Sequence, residues 1–366
     1  MQLMKTPKSV DLNITTKCNL RCSYCSHFDS ASDIETDLPT EEWLKFFKEL
    51  NECAVLDVCL SGGEPLSRGD IKELINGIVE NRMRFSMLSN GILMNDDILA
   101  YIKSTGRCNS IQVSIDGPGP DSHDIYRGKG SFEKALRGLK LLRKYKLPAT
   151  TRVTIHRHNY EVLDEVAELL LEDVGLPSFS TNSASHLGLC RQNSDDTQLN
   201  ADEYSFVIAK LFELNKKYNG RIGAQAGPLA SGKHWKEMEA MIKAGKKENQ
   251  GCGYLRSCGG VFSKMAVRAD GIMIPCSQIP YIELGMINRD SLKEVWHNHS
   301  ELKRLRGRRD IPLKNFEFCN DCKYTAFCRG GCPALAYTLT GDENKPSPDS
   351  CYRTFLEAGG KLPEIY

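Results

Sequence analysis

The sequence predicts an α/β protein: a partial (β/α)6 barrel, TIM-like but unclosed, with a cysteine-rich C-terminal extension. Three observations carry this. Short β-type runs alternate with amphipathic helical patterns from about residue 9 to 185. The 15 cysteines gather towards the two ends, three within Cys18–Cys25 and eight within Cys252–Cys351. After Gln250, glycine, proline and cysteine become frequent and helical periodicity fades.

In order, the strand candidates are VDLNIT (10–15), VLDVCLSG (55–62), FSMLSN (85–90), SIQVSID (110–116), TTRVTIH (150–156) and FSTNSA (179–184). Between them, 40–50 places Trp43, Phe46, Phe47 and Leu50 on one helical face, and 131–145 and 161–174 behave likewise. Six βα units in series imply parallel strands with right-handed crossovers and functional loops at the strands' C-terminal ends. Six units are too few to close an eight-fold barrel, so a side opening for a large substrate is expected. Two further helical patterns follow, at about 201–218 and 233–247. The expected organisation is a barrel over 1–220, a helical linker over 221–250 and the extension over 251–366. The extension is too loop-rich to fold on apolar burial alone, and metal ligation would supply the missing stabilisation.

A net charge of +1 gives no broad electrostatic case for nucleic acid or an anionic membrane. No apolar run approaches the roughly 20 residues that span a bilayer. The start leads into an apolar alternation and not into a signal-peptide core, so a soluble, cytoplasmic protein is expected. Disulfides are disfavoured in that compartment, which turns the cysteines towards metal binding or catalysis.

Directly after the first strand the chain reads Thr16-Lys17-Cys18-Asn19-Leu20-Arg21-Cys22-Ser23-Tyr24-Cys25, a C-x3-C-x2-C spacing. Three thiolates can hold three irons of a four-iron cluster and leave the fourth open, where an electron carrier would use a fourth cysteine. Spacing alone leaves a zinc knuckle open. The next strand ends in Ser61-Gly62-Gly63-Glu64-Pro65, the third in Ser89-Asn90-Gly91, and the fourth in Ser114-Ile115-Asp116-Gly117-Pro118. In this order, at these strand ends, the motifs resemble those of the radical SAM superfamily.

The resemblance implies that the open iron chelates S-adenosylmethionine, whose sulfonium bond is then cleaved reductively to a 5′-deoxyadenosyl radical. It implies that Tyr24 lies near the adenine and that the turn of Gly62, Gly63 and Glu64 holds the methionine ammonium. Ser89, Asn90, Ser114 and Asp116 fall where the family puts ribose and methionine contacts. Arg127 and Arg152 are candidates for the methionine carboxylate, which a guanidinium grips bidentately; either could instead form an ordinary ion pair.

The distal cysteines read Cys252-x5-Cys258, then Cys276, then Cys319-x2-Cys322-x5-Cys328-x3-Cys332, and finally Cys351. Two zinc sites would also use eight thiolates. The pattern resembles the SPASM extension of radical SAM enzymes. That resemblance implies two auxiliary [4Fe-4S] clusters, one on Cys252, Cys258, Cys276 and Cys332, the other on Cys319, Cys322, Cys328 and Cys351. With the first, the chain would carry three clusters.

Members of this group mostly modify peptides, so the expected function is oxidation or crosslinking of residues in a ribosomally made peptide. A flavodoxin or ferredoxin would be the reductant. In the sulfatase-maturing members an aspartate follows the third ligand of the first auxiliary cluster; here Ser277 stands there, which argues against that activity. A first strand near residue 9 leaves no room for an added leader-binding domain, so leader recognition is expected to fall to a separate protein or to the barrel surface. The segments Leu335–Asp342 and Pro346–Asp349 resemble radical SAM proteins of SynChlorMet-type peptide-maturation cassettes. An alternative is a dehydrogenase or epimerase of a sugar, cyclitol or peptide residue. Cys190, expected to border the cavity just past the sixth strand, would then be the catalytic hydrogen-atom donor; otherwise it is an inert buried thiol. An alternative of another class is a non-catalytic iron–sulfur carrier. Cys53, Cys59 and Cys108 read as core, His156 and His158 as satisfied polar groups, and the basic run Lys303–Arg309 as a solvated face.

Overall fold

A computed structural model of the chain describes residues 3–27, 37–256 and 258–364. β1 (Ser9–Thr15) runs parallel to β2 (Asp57–Gly62), with α1 (Thr40–Glu52) as the crossover. Val10, Leu12 and Ile14 are fully buried in the main core with Trp43, Phe46, Phe47 and Leu50 of α1. Each such side chain contributes ~1.5–3 kcal/mol. Asp11 and Asn13 have the opposite strand parity and face the barrel interior, where Ser61 donates to Asn13 Oδ1 at 2.8 Å.

The series continues with α2 (Ile71–Glu80), β3 (Arg84–Ser89), α3 (Asp96–Thr105), β4 (Cys108–Ser114), α4 (Pro120–Arg127), α5 (Ser131–Lys144), β5 (Ala149–Ile155), α6 (Leu163–Glu168) and β6 (Phe179–Ser183). Local chemistry sets the ends. Asn95 caps α3 by accepting from Ile98 N at 3.0 Å, and Gly106 stops it at φ +63°. All six expected strands are present. The expected helix 161–174 is instead a 3-10 turn (Tyr160–Val162), α6 and a π-helical turn (Leu169–Asp173). The wider turn lets consecutive Leu170 and Leu171 both enter the core.

Short helices α7 (Leu189–Gln192) and α8 (Ser194–Thr197) lead to α9 (Ala201–Lys217), whose capping box pairs Asn200 with Glu203. Residues 221–250, expected as a helical linker, contain a seventh strand. β7 (Ile222–Ala224) pairs in parallel with β6, and α10 (Pro228–Lys243) packs against α9.

The extension is also tied into the sheet. After α11 (Gly260–Ser263), β8 (Lys264–Val267) pairs in parallel with β1, and β9 (Ile272–Ile274) and β10 (Gly285–Met286) continue from it antiparallel. The ten strands run β10-β9-β8-β1-β2-β3-β4-β5-β6-β7. Helices α12 (Leu292–Asn298), α13 (Ser300–Gly307), α14 (Glu317–Asn320), α15 (Pro333–Thr340) and α16 (Tyr352–Glu357) complete the chain.

The extension has apolar support that its composition hides. Trp235 and Met238 of α10 form a second core with Tyr324, Phe327, Tyr352 and Phe355. Trp235 stacks on Tyr352 and Phe355 at 5.1 and 4.7 Å between ring centroids. Glu239 accepts from both Tyr324 and Tyr352 hydroxyls, at 2.6 and 3.1 Å. Among the described residues no helix is long and apolar enough to cross a membrane.

Candidate active site

The C-terminal ends of β1–β4 converge on the loop that carries Cys18, Cys22 and Cys25. The glycines of the β2 turn are required there by close approach. A Cβ on Gly62, at φ +126°, would stand 2.2 Å from the Thr15 carbonyl oxygen, and one on Gly63 2.2 Å from that of Lys17. That room lets Gly63 N and Glu64 N donate to the Thr15 and Lys17 carbonyls, at 2.7 and 2.8 Å. Glu64, fully buried, accepts from Ser89 Oγ at 2.9 Å, Asn90 N at 2.8 Å and Leu66 N at 3.2 Å. Burial pushes its carboxyl up, and these donors act against that. Asn90 Nδ2 reaches Asn19 Oδ1 at 2.8 Å and the Cys18 thiol at 3.9 Å. The three thiols lie close enough to interact electrostatically, and burial pushes Cys22 up to about 12. A thiol so desolvated keeps its proton until a metal displaces it.

Asp116, at the end of β4, is a buried hub. Its carboxylate accepts from Tyr24, from Arg127 and from Thr154 N at 2.8 Å. Burial alone would raise its pKa, but the adjacent Arg127 guanidinium outweighs this and holds it at about 2. Arg127 also lies 5.4 Å from the Tyr24 ring centroid. Arg127 therefore forms an internal ion pair, the alternative given for it beside the carboxylate contact. Tyr24 is likewise packed, 8% exposed and edge-on to Tyr126 at 5.5 Å. Arg152 stands differently. It pairs in register with Ser114 on the neighbouring strand and is half-buried, and no hydrogen bond or ion pair to it is found among the described residues. Of the two arginines, it is the one free for an anion.

The distal thiols form two groups. Cys258, Cys276 and Cys332 interact electrostatically with one another. Cys319, Cys322, Cys328 and Cys351 form the second interacting set. Cys332 thus sits with the first group and Cys351 with the second. Cys252 is buried on the loop leading in, and among the described residues no interaction with its expected partners is found. A recurring backbone device marks the thiols. Leu20 N, Gly260 N, Gln278 N and Gly330 N donate to the sulfur two residues earlier, at 3.3–3.5 Å. Such donors favour an anionic sulfur. Among the described residues no group of three or more His, Cys, Asp or Glu converges on a point for a single metal ion. The donor set is all thiol, in groups, with amide donors. It fits iron–sulfur clusters.

Several residues are not where the sequence suggested. Cys190 is 1% exposed, packed with Tyr24 and Tyr126, and its thiol is engaged by Thr197 and Gln198 at 3.4 Å each. The neighbouring Leu189 N donates to the Cys25 carbonyl at 2.9 Å, which ties this segment to the cysteine loop. This packing matches the other reading of Cys190, an inert buried thiol. His156 has no exposed surface, and burial pulls its pKa down to about 4; its Nδ1 accepts from His158 N, while Nε2 has no hydrogen-bond partner among the described residues. Cys59 is half-buried on the interior face beside Asp11, not in the apolar core.

The basic run is not a solvated face either. Arg306 donates to the Val261 and Trp296 carbonyls at 2.7 and 2.6 Å, Arg304 pairs with Glu301 and Glu343, and Arg308 has no exposed surface. Sequence reasoning also missed Asp11, which interacts with the Cys276 thiol from the barrel side. Its strand parity was the available signal. It missed His186 and Asp349 too, 3.8 Å apart, which join the loop after β6 to the segment before Cys351.

Residues 12–170 match the radical SAM superfamily model, and residues 258–323 match that of the SPASM iron–sulfur cluster-binding domain. The AdoMet-dependent heme synthase of Methanosarcina barkeri is 27% identical over 96% of this chain and 98% of its own length. The PqqA peptide cyclase of Rhizobium meliloti is 24% identical over 96% of this chain and 88% of its own. Among solved structures, Streptococcus suis SuiB bound to S-adenosylmethionine aligns with a TM-score of 0.72 at 15% identity, covering 96% of this chain and 78% of that one. AdoMet-bound anSMEcpe gives 0.69 at 18% identity, covering 96% of each. These two likenesses speak for the fold. A partial barrel with cysteines at its strand ends and an iron–sulfur extension defines a class, the S-adenosylmethionine-dependent radical enzymes. The chain carries a radical SAM domain over residues 12–170 and a SPASM iron–sulfur cluster-binding domain over residues 258–323, which support iron–sulfur clusters and S-adenosylmethionine as its cofactors.

Proposed function

We propose that the chain is a peptide-oxidising enzyme with three four-iron clusters. Cys18, Cys22 and Cys25 would hold the S-adenosylmethionine-binding one. Cys252, Cys258, Cys276 and Cys332 would hold one auxiliary cluster, and Cys319, Cys322, Cys328 and Cys351 the other. When bound, these groups supply the electron that breaks the sulfonium bond, the 5′-deoxyadenosyl radical that removes a substrate hydrogen, and acceptors for the electron left behind. The observation that carries the reading is the grouping of the distal thiols into two sets behind a three-thiol loop, in a chain similar to PqqA peptide cyclases.

The chain's own residues do the positioning. Glu64 ties the ends of β2 and β3 together beneath the loop and fixes Asn90 against Cys18. The Asp116–Arg127 pair holds Tyr24 from below. Arg152 offers its guanidinium to the methionine carboxylate. A cleft of about 670 Å³ beside Cys18, lined by Arg21, Lys129 and Lys134, suits an acidic electron donor such as a flavodoxin or ferredoxin. Auxiliary clusters held by the distal cysteines would accept the electron left on the substrate, which would make the net change oxidative.

The test is anaerobic reconstitution with iron and sulfide, a reductant, S-adenosylmethionine and candidate peptides. Formation of 5′-deoxyadenosine and loss of hydrogen mass from a peptide are expected. Bound zinc in place of iron and sulfide, or no 5′-deoxyadenosine under any condition, would overturn the reading. The 27% identity to AdoMet-dependent heme synthases favours a second reading, in which the oxidised substrate is a heme precursor. Mass change in an added porphyrin and not in any peptide would select it.

A further inference from the structure

Arg308 presents an unusual electrostatic situation. It lies in the 3-10 turn Arg308–Asp310 that follows α13, with 0% of its surface exposed. Among the described residues its Nε, Nη1 and Nη2 all lack a hydrogen-bond partner. The arginine two residues earlier shows what the local backbone can provide, since Arg306 reaches two carbonyls and stacks 4.5 Å from the Trp296 ring centroid. Arg308 reaches none. A buried cation without a counter-charge costs several kcal/mol, and folded proteins retain one only where something compensates it.

The groups that interact with it are the Cys332 thiol, Glu343 and Asp342 on the attractive side, and Arg304 on the repulsive side. Neither acid makes an ion pair with Arg308. Glu343 is held by Arg304 and Tyr281, at 3.3 and 3.1 Å, and Asp342 Oδ1 accepts from Asn344 N. The turn itself is anchored beside the cysteine-bearing loop: Leu255 N donates to the Ile311 carbonyl at 3.0 Å, and Leu313 N to that of Gly253 at 2.9 Å. The guanidinium is therefore buried and without a hydrogen-bond partner among the described residues, and the thiol it interacts with is Cys332, which groups with Cys258 and Cys276.

We propose that Arg308 is the buried counter-charge of the auxiliary cluster that Cys252, Cys258, Cys276 and Cys332 would hold, a positioning residue that sets this cluster's reduction potential. The inference rests on the cluster assignment proposed above. A thiolate-ligated cluster is an anion and gains one further negative charge on reduction. A fixed cation and hydrogen-bond donors at its sulfurs stabilise the reduced state more than the oxidised one and raise the potential. Arg308 would thereby make this cluster the better electron acceptor of the two auxiliary ones.

The experiment is an EPR-monitored redox titration of the reconstituted full chain, with iron and sulfide content measured in parallel. Arg308→Met removes charge and donors, Arg308→Gln removes the charge alone, and Arg308→Lys keeps the charge. In loaded Met and Gln variants one auxiliary potential is expected to fall by at least a tenfold change in its reduction equilibrium, ~59 mV for a one-electron couple. The Lys variant should recover most of that shift, and the other clusters should titrate unchanged. Unaltered potentials in loaded Met and Gln variants would overturn the proposal. So would equal loss of cluster loading in all three variants, Lys included, since the guanidinium would then be only structural. Failure of the cluster assignment itself is seen separately, as wild-type protein lacking this auxiliary signal.

Discussion

At the residue scale the decisive interaction is the buried pair of Asp116 and Arg127. Removing one partner strands the other charge, a loss of ~3–5 kcal/mol. Asp116→Asn is therefore expected to lower the melting temperature by several degrees and to loosen Tyr24, measurable by thermal unfolding and by tyrosine fluorescence. The pH dependence has a definite sign. Asp116 is held at about 2 when folded against an ordinary 3.8. The pair's contribution is thus complete above about pH 3.8 and is lost as pH falls through about 2. Denaturant titrations should show stability dropping over that window in the wild type, with this component missing in Asp116→Asn. Single residues were unevenly legible in the sequence. The cysteines could be read because spacing limits what thiols can ligate. The division of labour between Arg127 and Arg152 could not. It depends on Asp116 lying across the strand end from one of them, a contact between residues 11 positions apart that no periodicity encodes.

At the element scale, the β2 turn and the cysteine loop behave as one unit. In Gly63→Ala the new methyl would meet the Lys17 carbonyl oxygen, which is backbone and cannot swing aside. The expected cost is ~1–3 kcal/mol, together with displacement of Cys18. The variant should therefore lose iron at the first site while keeping the auxiliary clusters, which Mössbauer or EPR counting would resolve. Strands were the most legible elements, because alternation over six or seven residues specifies one buried face. β7 and β8 were missed for the converse reason. At three and four residues they are too short to show alternation, and they are strands only because β6 and β1 offer an edge. The basic run of α13 misled because charge was read as solvation. Arg306 instead buries its stem and reaches two backbone carbonyls that sequence does not display.

At the scale of the molecule, the extension is held in three ways: β8 on β1, the aromatic core around Trp235, and the thiol groups. The first two do not depend on metal. Iron chelation is therefore expected to leave the barrel and the β8 pairing protected, while exposing the backbone around Cys252–Cys258 and Cys319–Cys332. Hydrogen exchange monitored by mass spectrometry would show this as faster exchange confined to those segments; global unfolding on chelation would contradict it. The extension's apolar support was invisible in its composition, because part of the second core, Ile208 of α9 with Trp235 and Met238 of α10, lies outside the cysteine-rich region.

The crossed membership of the distal cysteines also acts as a ruler. Cys328 belongs to one thiol group and Cys332 to the other, and only Arg329, Gly330, Gly331 separate them. Four residue steps span at most ~14 Å even fully extended, and positive φ at both glycines, +74° and +79°, contracts the path further. The chain's own covalent length therefore caps the gap that an electron would cross between the two centres, and no hinge motion of the extension can widen it.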